Sequence, residues 1–299
     1  MKSGITLLVC LLHPLLVLSK EKVKLSDLEK FAPTEIYPED VFLDTTTNKR
    51  AMVIVAHDDD DCAMSGTLFR LKQKGWIIMQ ICLQQHPSKN GKLPARFLYH
   101  HYRKILSNTN YRPGKDTTTL SYMPIPYEMI DRQYLTQVIG DTLISIINNF
   151  KPSVLFSLDD VKGGYGHPDH IFMSRLVKSL LQSGKIPPVK IYQSVFTPHM
   201  EKEIVNTWLK ARLDKWGFPH PGLEADKLYE ITGMPEPTVQ VDMEANGSEK
   251  MRYLNAYPKD VRRTLSKFIP YFTEFKAKEY FRLFNREFFR IVDPVKVHR

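Results

Sequence analysis

Apolar residues follow two rhythms along this chain. Ala51-Met52-Val53-Ile54-Val55-Ala56 is an unbroken apolar stretch rich in β-branched side chains, which predicts a strand buried on both faces of a parallel sheet. From Cys62 the spacing changes. Met64, Leu68 and Leu71 recur at i, i+4 and i+7, predicting a helix that stops at Gly75, and Trp76 to Leu83 reads as a second buried strand. The pattern goes on to predict helices at about 95–107 and 132–149, a strand over 153–158, a helix at about 167–183 and a strand over 189–196. Strand and helix in alternation is the signature of βαβ units. The expected fold is therefore α/β, a Rossmann-like three-layer arrangement of a mostly parallel sheet with helices on both faces and right-handed crossovers. Residues from about 200 onward are less regular and read as helical and hairpin additions to the same core, so that 49–299 is expected to be one domain.

The segment ahead of that domain has a different character. Lys2 precedes an apolar run from Gly4 to Leu18, and Val17-Leu18-Ser19 suits a signal peptidase, so residues 1–19 are expected to be a signal peptide and the protein to be exported, periplasmic or extracellular. His13 and Pro14 interrupt the run, which leaves it short of the ~20 clean apolar residues of a spanning helix; an uncleaved N-terminal anchor is the alternative. Residues 20–48, with Pro33 and Pro38, read as an irregular lead-in.

Composition narrows the classes. With 42% hydrophobic and 25% charged residues, the chain is neither a long disordered tract nor a polytopic membrane protein. The net charge is +9, and the leader holds only Lys2 of it, so the folded part is basic. Its Lys and Arg are scattered rather than gathered into a patch with interleaved aromatics, which argues against a nucleic-acid partner. Cys62 and Cys82 have neither metal-knuckle nor redox spacing, and burial as small hydrophobes is the expectation over a Cys62–Cys82 bridge.

Chemistry concentrates where strands end. Four aspartates, Asp58 to Asp61, follow His57 directly after the first apolar strand, and in open α/β sheets ligands bind outside the carboxyl ends of strands. Capping a helix needs one or two carboxylates; four in a row repel one another, and a divalent cation offsets that repulsion. Leu158-Asp159-Asp160 closes the later strand, and Gly163-Gly164-Tyr165-Gly166 then delivers His167-Pro168-Asp169-His170 at the start of a helix. Histidines and an acid brought from two strand ends suit Zn²⁺, which binds imidazole nitrogen and carboxylate oxygen and keeps a position open in catalytic sites.

These two motifs resemble those of the zinc-dependent N-acetylglucosaminyl de-N-acetylases, the LmbE-like family that includes the glycosylphosphatidylinositol- and mycothiol-pathway deacetylases. That family pairs a strand followed by Ala-His-Pro-Asp-Asp-Glu with His-Pro-Asp-His roughly a hundred residues on. The resemblance covers about residues 50–200, with a fainter echo at Val241-Asp242 and Lys250. It implies that 49–299 is a deacetylase-like catalytic domain, that His57, Asp60 and His170 bind the metal, that Asp59 is the general base, and that His167, oriented by Asp169, together with Tyr165 stabilises the oxyanion or, for His167, protonates the leaving amine. Arg96 is the nearest match to a substrate-binding arginine. The implied partner is an N-acetylated amino sugar or its conjugate, and the implied cofactor is zinc or another divalent metal.

This sequence also departs from the pattern. Asp58 takes the place of the proline and Asp61 that of the glutamate; Tyr99, His100 and His101 stand where an acidic residue is usual, and Tyr257 about where many relatives carry a histidine. The departures bear on substrate more than on reaction type, and leave two alternatives: another metal-dependent amide or ester hydrolase, or a non-catalytic sugar-binding relative. Asn246-Gly247-Ser248 reads either as a glycosylation acceptor or as a turn.

Overall fold

Alternation inside the first strand decides the layers. In a computed structural model, which describes residues 23–84, 98–105 and 122–294, β1 (Arg50–His57) sends Ala51, Val53 and Val55 into one hydrophobic cluster and Met52, Ile54 and Ala56 into another. Successive side chains of a strand point to opposite faces, so an unbroken apolar run is what a strand covered on both sides needs. One cluster lies under the helices Thr136–Phe150 and Pro168–Gln182. The other lies under Ser65–Gln73, Gly247–Ala256 and Ala277–Leu283, with Leu28 and Phe31 of the lead-in.

The sheet has seven strands in the order β3-β2-β1-β4-β5-β7-β6, where β2 is Ile77–Gln84, β3 His101–Lys104, β4 Val154–Leu158, β5 Lys190–Ser194, β6 Val239–Asp242 and β7 Arg286–Val292. The first five are parallel; β7 runs antiparallel to both β5 and β6. Chain order runs outward from β1 in one direction to β2 and β3 and in the other to β4 and β5. The crevice at the carboxyl ends of β1 and β4 is thus a topological switch point, the usual ligand position of such sheets.

Two expectations change. The segment read as a helix at about 95–107 contains β3: the exposed edge of β2 captures His101–Lys104 in parallel register, Met79 opposite His101 and Cys82 opposite Lys104, and pairing there outweighs local helical spacing. The C-terminal additions are not a separate hairpin either. β6 and β7 pair across an intervening run of helices, and β7 joins the main sheet beside β5. The lead-in contains two short helices, Leu25–Glu29 and Phe42–Thr45, in otherwise irregular chain. The expected leader and Arg96 lie outside the described residues. Among the described residues no helix is long and apolar enough to cross a membrane. Cys62 and Cys82 are two buried thiols rather than a bridge, and Asn246 is buried at the start of a helix, where a glycan has no room.

Candidate metal centre

β1 ends on His57, and the chain turns at once into a short 3-10 helix, Asp60–Ala63. That turn folds Asp60 back onto the strand end, where its Oδ2 accepts the backbone N–H groups of Ala56 and His57 at 3.1 and 2.8 Å. Its other oxygen, Oδ1, faces His170 Nε2 at 3.1 Å and His57 Nδ1 at 3.5 Å, and the two ring nitrogens are 3.1 Å apart. Three donor atoms therefore form a near-equilateral triangle. Ligands about 2.0–2.2 Å from a tetrahedral ion stand roughly 3.3–3.5 Å from one another, so the triangle matches the ligand set that the sequence resemblance implies.

The remaining nitrogens fix which lone pairs point inward. His57 Nε2 lies 3.1 Å from Asp169 Oδ2, and His170 Nδ1 lies 2.9 Å from the carbonyl of Gly163. Each outer nitrogen donates its proton to an oxygen, which leaves the inner one as an acceptor, the usual arrangement behind metal-bound histidines. The surroundings favour positive charge at this point. Although burial opposes it, Asp60 and Asp169 raise His57 well above an ordinary histidine, and although burial opposes its ionisation too, Asp60 is held well below the usual carboxylate range by His170 and His57. A divalent cation fits this donor set by number, type and charge. His167 approaches as well, and the three histidines bring one ring nitrogen each within 4.8 Å of one another; the tighter triangle uses Asp60 in its place.

The second motif reaches the site through a loop that only glycine makes. Gly163, Gly164 and Gly166 have φ of +57°, +81° and +95°, and at Gly166 a Cβ would meet the Pro221 carbonyl at 2.6 Å. Asp159 holds the loop by accepting the N–H groups of Val161, Lys162 and Gly164, a shaping role rather than a ligand's. Lys162 anchors it from beneath, fully buried and bridging Glu201 at 2.7 Å and Asp226 at 2.6 Å.

His167 caps the helix Pro168–Gln182, its Nδ1 accepting the Asp169 N–H at 3.2 Å. Nδ1 is then the acceptor and Nε2 carries the proton. Burial and the neighbouring His170 push its pKa down to about 3, so His167 is a neutral hydrogen-bond donor on the wall of the cavity it lines with His57, Asp59, Asp60 and His170. The Asp169 carboxylate meets His57 Nε2 and accepts from Tyr134 Oη at 2.5 Å; the hydrogen bond that orients His167 comes from the Asp169 backbone. Tyr165 also lines the cavity, with its ring edge-on to His170 at 5.3 Å.

The altered positions of the first motif are supported from elsewhere in the chain. Where the resemblance has a proline, the Asp58 carbonyl accepts Gln80 Nε2 at 3.1 Å and Tyr257 Oη at 3.0 Å. Asp61 accepts from Tyr99, from Tyr253 at 2.7 Å and from Gln80 at 3.2 Å. Tyr99 is thus a buried partner of the acidic run. His100 is turned out to solvent, its Nδ1 accepting the Ile78 N–H, and His101 is an exposed residue of β3. The sequence marks Tyr99 and Tyr257 only as departures from the family pattern and gives no sign that they and Tyr253 support the acidic run; Tyr253 lies in the helix Gly247–Ala256 and Tyr257 just past its end.

An α/β sheet with a histidine–carboxylate cluster at its switch point is the class these observations define. Residues 52–181 match the family model described as PIG-L: GlcNAc-PI de-N-acetylase. The chain is 24% identical over 120 residues to the 1D-myo-inositol 2-acetamido-2-deoxy-alpha-D-glucopyranoside deacetylase of Mycobacterium sp. (strain KMS), a match covering 35% of this chain and 39% of that protein. It spans about two fifths of that curated relative. Solved structures that it resembles include N,N'-diacetylchitobiose deacetylase from Pyrococcus horikoshii, with a TM-score of 0.43 and 18% identity over 86% of this chain and 91% of the other. Another is the 4-carboxy-2-hydroxymuconate hydratase GalB from Pseudomonas putida KT2440, with a TM-score of 0.43 and 12% identity over 84% and 99%.

Proposed function

We propose that the protein is an exported, zinc-dependent hydrolase that removes the N-acetyl group of an amino sugar or its conjugate. The observation that carries the reading is the His57–Asp60–His170 triangle with Asp59 beside it on the same cavity wall, joined to a family domain of amide hydrolases. When bound, a divalent cation supplies Lewis acidity to the amide carbonyl and lowers the pKa of the attacking water.

The protein's own groups do the rest. Asp59 takes a proton from the water as its oxygen bonds to the carbonyl carbon. His167 Nε2–H and the Tyr165 hydroxyl donate to the oxygen on which negative charge grows. The C–N bond then breaks, the amine leaves with the proton Asp59 accepted, and acetate remains. Because the Asp169 N–H keeps the proton of His167 on Nε2, donation to the oxyanion suits this histidine better than proton delivery to the amine. Export rests on the apolar run Gly4 to Leu18.

The test is release of free amine from a panel of N-acetylglucosamine conjugates by the Zn²⁺-loaded protein. Asp59→Asn is expected to lower turnover by about 10²–10⁴-fold while still binding zinc. Full turnover in that variant would remove Asp59 from the mechanism, and silence across the panel with metal bound would favour another amide or ester substrate.

A further inference from the structure

The cavity that opens onto the triangle is much larger than an acetyl group requires, and most of it is not polar. Its volume is about 340 Å³. For scale, a dry protein cavity of about 150 Å³ lined by Leu, Ile and Phe holds a benzene. Beyond His57, Asp60 and His170 the wall is formed by side chains such as Phe196, Ile204, Leu265, Phe268, Phe281 and Phe284. All six lie beyond residue 181, outside the matched family domain, so this lining belongs to the chain's own C-terminal part.

The charged groups in the wall are already engaged. Lys250 Nζ is 2.5 Å from Glu287 Oε1, and both residues are buried. Glu287 also accepts the N–H groups of Gly66 and Thr67 at 2.9 and 2.6 Å. Arg286 donates to the Glu35 carbonyl and to Gln240. Away from the triangle the wall offers a sugar ring only scattered hydroxyls, those of Ser194, Thr264 and Tyr280, and each ring hydroxyl left without a partner costs about 1–3 kcal/mol. A hydrocarbon chain strands no hydrogen-bonding group by entry, and burial of each methylene is favourable by about 0.8 kcal/mol, against the smaller cost of ordering the chain.

We infer that this cavity receives the acyl part of the substrate, and that beyond acetamides the protein is built to cleave amides of medium-chain fatty acids, roughly eight to twelve carbons long on the volume comparison above. The inference rests on the hydrolase reading of the same site and extends it. Water's oxygen bonds to the acyl carbonyl carbon, the C–N bond breaks, the nitrogen takes a proton, and a fatty carboxylate is released in place of acetate. The amino sugar remains on the solvent side of the triangle.

The experiment uses the full chain loaded with Zn²⁺ and a series of glucosamines N-acylated with acetyl, hexanoyl, octanoyl and decanoyl groups, together with the octyl glycoside of N-acetylglucosamine. Amine release is followed for each compound, and binding to the Asp59→Asn variant is measured by calorimetry. Affinity is expected to rise roughly three- to fourfold per added methylene until the cavity is filled, with kcat/KM rising in parallel and no such gain from the octyl glycoside. Equal binding and turnover of acetyl and decanoyl compounds would overturn the inference and leave the deacetylase reading standing. A gain from the octyl glycoside alone would overturn it in favour of an apolar aglycone. Length-dependent binding of the acyl series without amine release would uphold the acyl cavity and sink the hydrolase reading instead.

Discussion

His57 Nδ1 and His170 Nε2 stand 3.1 Å apart, and each ring has its other nitrogen turned outward to an oxygen, that of Asp169 for His57 and of Gly163 for His170. Two lone pairs directed at one point repel unless a cation or a proton lies between them. The pair is therefore held in a form that a metal completes, and the holding is done by the second motif.

That relationship makes Asp169 a positioning residue for metal binding. Asp169→Ala removes the acceptor of His57 Nε2–H and is expected to weaken Zn²⁺ affinity by about 10–100-fold, the usual effect of losing such a partner. Competition with a chromophoric chelator measures it. Wild-type affinity in the variant would show that His57 is oriented by other contacts.

Asp61 should make the metal-free protein less stable as pH rises. Burial pushes its carboxyl up to about 8, against the opposing hydrogen bonds from Tyr99 and Tyr253, whereas an unfolded aspartate titrates near 3.9. Below about pH 4 both states are protonated and the full stability is present. Between about pH 4 and 8 only the unfolded chain gives up its proton, so stability is lost across that window. Asp61→Asn keeps an acceptor for the tyrosines and cannot ionise. Its urea stability relative to wild type should rise by on the order of 1–3 kcal/mol from pH 4 to pH 8, and a pH-independent difference would contradict the assignment.

Lys162 lies fully buried between Glu201 and Asp226. Lys162→Ala leaves two carboxylates facing a void and should cost about 3–5 kcal/mol, the range for breaking a buried ion pair from one side. Urea unfolding at neutral pH provides the measurement. A cost below about 1 kcal/mol would mean that the pair is solvated like a surface one.

Two glycines of one loop should respond differently to the same change. Gly164 has nothing within 4 Å of a built Cβ, while Gly166 has the Pro221 carbonyl at 2.6 Å. Both have positive φ, so Gly164→Ala carries only the conformational cost of about 1 kcal/mol, and Gly166→Ala adds a clash beside His167 and should cost about 3 kcal/mol or more. Thermal denaturation of the two variants settles it, and equal losses would show that the loop relaxes around Gly166.

What the sequence revealed, and what it hid, follow one physical line. Strands buried on both faces print themselves as unbroken apolar runs, so β1, β2, β4 and β5 were readable. The site residues at the ends of β1 and β4 were readable with them, because chemistry at a switch point needs ionisable residues where such runs stop. β3 was not, because an edge strand of four residues is defined by its neighbour rather than by its own pattern. Nothing in the spacing of Tyr99, Tyr253 and Tyr257 reveals their role; their hydroxyls matter because Asp58 and Asp61 lie under them. The apolar cavity was hidden too, since Phe196, Phe268 and Phe281 meet only after three separate segments fold together.

The support of the first motif by the last third of the chain also sets an order of events. Asp61 waits for Tyr253, the N-terminal turn of the helix Ser65–Gln73 waits for Glu287, and β5 waits for β7 to cover its outer edge. Each partner lies 190 or more residues later for the first two and about 95 residues later for the third. A chain emerging from the ribosome has made both halves of the metal triangle by residue 170, yet it cannot hold them rigid until Tyr253, Glu287 and β7 have been synthesised. The candidate site should therefore become rigid late in folding, and a chain truncated ahead of β7 should hold the triangle poorly.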